Sequence, residues 1–190
     1  CSSPNFFDVG KNNLSDILID LQKEASKLEN FDIPEIFSSV IYPINTNIVE
    51  FNNFITINNS NFIMCKFPTF GIPANFYEKL RYLINNNYLP IITNIVYSPL
   101  GKNKKILNDL FELGCLFDID INDFFEFKNK SAAKIIKFLE NQNSIITVSG
   151  FNKIIELEKS FERFSKQTGL ERDKLEHKYC WSNPNLIINY

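Results

Sequence analysis

Leu89-Pro90-Ile91-Ile92-Thr93, Cys115-Leu116-Phe117-Asp118-Ile119-Asp120-Ile121 and Ser144-Ile145-Ile146-Thr147-Val148 are three short apolar runs with a helical pattern between each pair. Runs this short and this rich in Ile read as strands buried on both faces, the mark of a parallel sheet. Between the first two, Lys104 to Leu113 has helical spacing, and Gly114 suits a left-handed helix stop. Between the second and third, a helix is expected near Ser131 to Glu140. Strands alternating with helices argue an α/β fold built on a parallel sheet or barrel.

Working outward, Phe76, Leu80, Leu83 and Ile84 share one face of a helix whose first turn suits Pro73. Phe54-Ile55-Thr56-Ile57 and Phe62-Ile63-Met64-Cys65 flank Asn58-Asn59-Ser60-Asn61, which reads as a hairpin. Upstream, Glu35 to Tyr42 reads as a strand, and Leu14, Ile17, Leu18, Leu21, Ala25 and Leu28 mark an amphipathic helix over about 12 to 29. Downstream the chain is helical: Lys153 to about Lys166, a stop at Gly169, Glu171 to about Trp181, and a short turn beginning at Asn183-Pro184. No linker divides residues 1–190, so a single domain is expected.

The composition narrows the function. Of 190 residues, 44 % are hydrophobic and 14 % aromatic, enough for a sizeable core. The net charge of −2 gives no basic surplus, so nucleic acid is not an expected partner. No apolar run reaches the length of a transmembrane span. Abundant Asn, Ile, Lys and Phe are residues with AT-rich codons, read here as genome bias. The chain contains one histidine, His177, which excludes a site needing several imidazoles from these residues alone. It lies on a late helix, away from any strand end, and is read as a surface or packing residue. The cysteines Cys1, Cys65, Cys115 and Cys180 form no C-x-x-C pair. Cys65 and Cys115 stand in apolar runs, so buried, reduced thiols and a cytoplasmic location are expected. Neither sits in a Cys-x5-Arg loop, which argues against a cysteine phosphatase.

The strings from Phe54 through Pro68, Ile72-Pro73-Ala74-Asn75 and Tyr88-Leu89-Pro90-Ile91-Ile92-Thr93-Asn94 resemble the PHP (polymerase and histidinol phosphatase) superfamily. Within it they are most similar to the bacterial tyrosine-protein phosphatases of capsule and exopolysaccharide loci. The similarity continues through Leu113 to Asn122, Lys130-Ser131-Ala132 and Ser144 to Lys153, and ends at Trp181-Ser182-Asn183-Pro184; Phe7-Asp8-Val9-Gly10 resembles the turn after the family's first strand. The resemblance implies a distorted, incomplete (β/α) TIM-like barrel of about six strands, with its chemistry at the carboxyl ends of the strands. The family reaction is phosphomonoester hydrolysis by a cluster of divalent ions that ionise a bound water and neutralise phosphoryl oxygens.

Residue by residue, the ligand positions of that family are altered. Its first His-x-His places Cys1 at the middle residue and Ser2 at the second histidine; Thr-Pro-His falls on Ser39-Val40-Ile41. One strand-helix unit, with its glutamate ligand, is missing between about 43 and 53. The His-Pro-Glu-Arg segment reads Asn94-Ile95-Val96-Tyr97, and Ser-Asp-Ala-His reads Ser149-Gly150-Phe151-Asn152. Ser2, Ile41, Asn94, Gly150 and Asn152 therefore stand where ligands are expected. Neutral oxygens from Ser or Asn do not replace imidazole or balance clustered dications. Without the metal the nucleophile's pKa returns from about 7 toward about 15.7, a loss of roughly 12 kcal/mol.

Asp118, Asp120 and Asp123 form an acidic group at one strand end, and Asp118 and Asp120 share a face if the strand is regular. They read first as solvated carboxylates and helix caps, with a residual polar site as the alternative. Phe124-Phe125-Glu126-Phe127 falls where a strand-to-helix loop is expected and reads as apolar filling for an incomplete barrel or as an exposed patch. The expectation is a catalytically inactive homologue acting as a binding or regulatory protein, with no cofactor. The alternatives are a working tyrosine-protein phosphatase using Mn, Fe or Zn, and a lipid-anchored surface protein whose Cys1 is a lipoprotein start. By family analogy the partner is a bacterial tyrosine kinase or its tail. Closure of the shortened barrel by a homo-oligomer stays open.

Overall fold

The computed structural model describes residues 39–45, 48, 54–120, 130–149 and 154–188, with Ile19 and Lys23, both helical, besides. The rest of the expected helix over 12–29 lies outside the described residues, as do 35–38. Among the described residues the sheet has five strands: β1 (Ile41–Pro43), β2 (Phe62–Lys66), β3 (Leu89–Thr93), β4 (Leu116–Asp120) and β5 (Ile145–Ser149). They stand in chain order, all parallel, with β1 and β5 at the two edges. This is the succession of a (β/α) barrel. Five strands are seen among the described residues, and the expected count of about six refers to the whole chain.

The helices between strands follow the predicted periods. Helix α1 (Phe76–Asn85) buries Phe76, Leu80 and Leu83, and α2 (Lys104–Glu112) buries Leu107 and Leu110. Asn103 caps α2, its side chain accepting from the backbone N–H groups of Lys105 and Ile106. Gly114, at φ 85°, ends the turn after α2 as expected. Helix α3 is Lys130–Asn141 and α4 is Ile154–Thr168, followed by Gly169 at φ 76°.

Three expectations are corrected. Phe54 to Ile57 is not a strand, and no hairpin forms. Ile57–Asn59 is a 3₁₀ turn in which Asn58 and Asn59 take positive φ, and the Ser60 hydroxyl donates to the Ile57 carbonyl. The edge of β2 that a hairpin would use is taken by β1, in parallel register. Phe54 instead packs edge-on against Tyr42 and Tyr88. Second, Pro73 is not in the first turn of α1, because Asn75, at φ 57°, breaks the chain direction and the helix starts at Phe76. Third, the last segment divides into α5 (Arg172–His177), a π turn (Lys178–Ser182) and a true helix, α6 (Asn183–Ile188), in place of one helix and a turn.

The sheet has two apolar faces. On the outer one, Ile63, Cys65, Ile92, Phe117, Ile119 and Ile145 pack with Leu80, Leu83, Leu107, Leu110, Leu139 and Phe161 of the flanking helices. On the inner one, Phe62, Met64 and Ile91 cluster with Ile57 and with Ile187 of α6; Ile41, Leu89, Leu116 and Ile146 pack against them.

Candidate functional site

Because the strands are parallel, their carboxyl ends lie on one edge, where α/β barrels assemble their chemistry. Backbone bonds stitch that edge: Ile44 N–H donates to the Lys66 carbonyl at 3.0 Å and Phe67 N–H to the Thr93 carbonyl at 3.4 Å. Asn94 follows β3 in the left-handed conformation, φ 62°, which Asn tolerates better than most side chains. Its Nδ2 donates to the Phe67 carbonyl at 3.0 Å. The expected ligand position Asn94 is thus engaged in joining two strand ends.

The segment after it folds back tightly. Ser98 N–H donates to the Asn94 carbonyl, and a Cβ at Gly101 would run into the Ile95 carbonyl. Ile44, Phe67, Ile95 and Leu100 are completely buried, and Phe67 meets Phe76 edge-on at 5.8 Å. The outer half of this edge is an apolar plug.

The inner half is polar. Side chains alternate along each strand, so Lys66 falls on the face of Phe62 and Met64, Thr93 on that of Leu89 and Ile91, and Asp118 and Asp120 on that of Leu116. The pairing aligns them: Pro43 opposes Lys66 and Lys66 opposes Thr93. Ile92 opposes Phe117, so Thr93 and Asp118 are the next residues of their strands; Asp118 in turn opposes Thr147. Lys66 and Thr93 therefore share a row across β2 and β3, while the β3–β4 pairing ends at Ile92 opposite Phe117 and the β4–β5 register shifts between Phe117 and Asp118. Thr93 is 6 % exposed and Asp118 4 %. Asp120 lies beyond, half-buried and opposite Ser149.

The expected sharing of a face by Asp118 and Asp120 agrees with this placement, but Asp118 is buried where a solvated carboxylate was expected. Ile41, another expected ligand position, starts β1 opposite Met64 and packs into the inner apolar cluster. Asp123, Gly150, Asn152, Ser2 and the stretch Phe124-Phe125-Glu126-Phe127 lie outside the described residues. Sequence reading missed Lys66 and Thr93. The available signal was a lysine two positions after Met64 in an otherwise apolar strand, on the alternation that carries Phe62 and Met64. Among the described residues, no group of three or more His, Cys, Asp and Glu side chains is arranged to hold a metal ion.

The other chemistry-bearing groups are elsewhere. His177 is exposed on α5, its Nδ1 within 3.0 Å of the Ser182 hydroxyl. Cys65 and Cys115 are free and buried, as expected. Burial pushes the Cys65 thiol well up, with Cys115 adding to it, and burial pushes Cys115 up to about 12. Neither supplies a thiolate at neutral pH. No helix among the described residues is long and apolar enough to cross a membrane.

No protein-family model matches the chain, and no curated protein matches it in sequence. A solved structure does, from the crystal structures of YwqE from Bacillus subtilis and CpsB from Streptococcus pneumoniae, described as metal-dependent tyrosine phosphatases. The likeness has a TM-score of 0.69 at 18 % identity and covers 90 % of this chain and 74 % of that one. At the level of the fold the resemblance read from the sequence strings is borne out: the chain has the fold of these metal-dependent tyrosine phosphatases.

Proposed function

We propose that this chain is a catalytically inactive counterpart of the metal-dependent tyrosine phosphatases, acting as a binding or regulatory protein. The supporting observation is the placement of its one imidazole. His177 stands on α5, in the helical segment that docks on the amino ends of the strands, while Asn94 at the carboxyl edge spends its amide on the Phe67 carbonyl. Hydroxide formation at neutral pH needs ligands that hold a dication and lower the pKa of its water. Ile41 and Asn94 do neither.

The test is metal analysis of the purified protein combined with hydrolysis of a phosphotyrosine peptide in added Mn, Fe or Zn. Substoichiometric metal and no turnover are expected, and Asn94→His alone is expected to restore neither. Stoichiometric metal with turnover overturns the proposal. The fold likeness to active phosphatases favours a second reading, in which further chain supplies the missing ligands; activity of a longer gene product but not of these residues would establish it. A bacterial tyrosine kinase tail is the partner this reading suggests, with a cytoplasmic location, and co-purification with such a kinase tests it.

A further inference from the structure

The carboxyl ends of β2 and β3 are stitched together through Phe67 and Asn94, so the loops that leave them, 67–75 and 94–103, start side by side. The first carries the most exposed large apolar side chain among the described residues: Phe70 is 89 % exposed, and Ile72, two residues on, 54 %. Gly71 between them turns the chain at φ 70°, and Pro68 and Pro73 restrict it on either side. Below this tip Phe67, Ile95 and Leu100 are completely buried, so it rises from a close-packed base. Single exposed apolar residues need no explanation; two on one braced tip point to a contact.

The same edge gathers positive charge. From Phe67 to Lys105 the chain carries one acid, Glu78, against five bases, in a protein whose net charge is −2. Three of the five, Lys102, Lys104 and Lys105, close the second loop and open α2, where the helix dipole adds to their charge. All three are exposed, and none pairs with a carboxylate among the described residues; Lys104 lies over the Phe138 ring at 5.9 Å.

We propose that these two loops are a membrane-surface contact: Phe70 and Ile72 enter the headgroup region of a bilayer, and Lys102, Lys104 and Lys105 hold its anionic phosphates. A lone apolar anchor binds a bilayer only marginally, and stable association takes a second signal, which the lysines supply. The shape of the tip favours lipid over protein. A protein partner must offer a pocket cut to an isolated phenyl ring with acids set beside it, whereas a bilayer accepts such a tip anywhere and spreads its phosphates over a plane. A soluble phosphate would engage the lysines and leave Phe70 in water.

The experiment is co-sedimentation of the full chain with vesicles of phosphatidylcholine alone and of phosphatidylcholine with an equal part of phosphatidylglycerol. Binding is expected to the mixed vesicles only, and to be lost at about 1 M salt, where the screening length shrinks to about 3 Å. Lys102→Gln, Lys104→Gln and Lys105→Gln together are expected to weaken it by about a hundredfold. Phe70→Ser with Ile72→Ser is expected to weaken it by about tenfold or more. All five positions are exposed, so these variants should fold. With Trp181→Phe as background, Phe70→Trp should shift its emission to the blue on the mixed vesicles. Absence of binding to the mixed vesicles overturns the inference, as does undiminished binding of either set of variants or an unshifted emission. Retention on immobilised polyglutamate through the same lysines, without vesicle binding, would assign the face to an acidic protein and overturn it equally.

Discussion

The inner face of the sheet is built differently at its two edges. At the amino edge it is sealed by apolar side chains: Phe62 and Leu89 begin their strands beside Ile57, and Ile187 of α6 is laid against them. The last helical segment is fastened there by polar contacts, with Asn183 Nδ2 donating to the Ile145 carbonyl at 3.2 Å. At the carboxyl edge the same face carries Lys66, Thr93, Asp118 and Asp120, and the seal moves to the outer face, at Phe67 and Ile95. The difference teaches where the fold stores stability and where it keeps chemistry. Closing the amino edge takes up a whole helical segment, while among the described residues the inner half of the carboxyl edge carries polar side chains, the edge at which α/β barrels meet ligands.

The largest expected effect falls on the amino edge. Glu140, at the end of α3, accepts from Lys178 Nζ at 2.9 Å through one oxygen and from the Tyr179 hydroxyl through the other, and its side chain is 7 % exposed. Phe164 stacks on the Tyr179 ring. Glu140→Ala leaves a phenol and an ammonium without their acceptor, and a loss of about 3–5 kcal/mol in urea unfolding is expected. Ile187→Ala, in the apolar part of the same seal, is expected to cost about 3 kcal/mol. If both substitutions prove as mild as changes at exposed residues, α6 is an appendage and the contrast between the edges dissolves.

Much of this was legible before any coordinates. The units from Phe76 to Ser149 alternate as their apolar periods predict, because each helix buries one stripe and each strand is buried on both faces. The same double burial hid the site. In Phe62-Ile63-Met64-Cys65-Lys66 the apolar run masks the alternation, so nothing in the string says that Lys66 shares a face with Met64 while Cys65 faces the helices. The hairpin was misread for a related reason: Phe54 and Ile57 are apolar because Phe54 meets Tyr42 and Tyr88 and Ile57 seals the amino edge, with no strand partner involved. Asp118 and Asp120 were legible as a pair, being charges in an apolar run, whereas the burial of Asp118 comes from its place on β4, between β3 and β5, which the string alone does not show.

Alkaline pH acts on both edges through groups whose pKa is raised in the folded state. Burial first, then the Glu140 charge and hydrogen bond, pushes the Tyr179 phenol far up from 10.0, and burial pushes Cys115 from 9.0 up to about 12. Tyr77, whose hydroxyl donates to Asp109 Oδ2 at 2.8 Å, is pushed up to about 12 by burial and then by that bond. A raised pKa means the unfolded chain releases these protons first, so their contribution is complete below about pH 9 and is lost progressively above it. Thermal melts should therefore hold steady from about pH 7 to 8.5 and fall beyond, by roughly 2 kcal/mol from Cys115 alone near pH 11. In Cys115→Ala that fall should shrink without vanishing, because burial also pushes the Cys65 thiol up from the same 9.0, and an unchanged profile would show that the Cys115 thiol does not contribute.

The smallest effect belongs to the carboxyl edge and separates two roles of one residue. Asn94 contributes an amide to the Phe67 carbonyl and also tolerates φ 62°. Asn94→Gly removes the hydrogen bond and relieves the backbone, so it should cost only about 1 kcal/mol. Asn94→Ala loses the same bond and keeps a Cβ in the left-handed region, which adds about 1 kcal/mol. The ordering Ala worse than Gly is the decisive outcome in a urea series. Equal losses would mean that the backbone relaxes out of the left-handed state, freeing position 94 to reorient. A glycine worse than alanine would mean that the hydrogen bond is incidental and that chain flexibility at the end of β3 governs the stability of this edge.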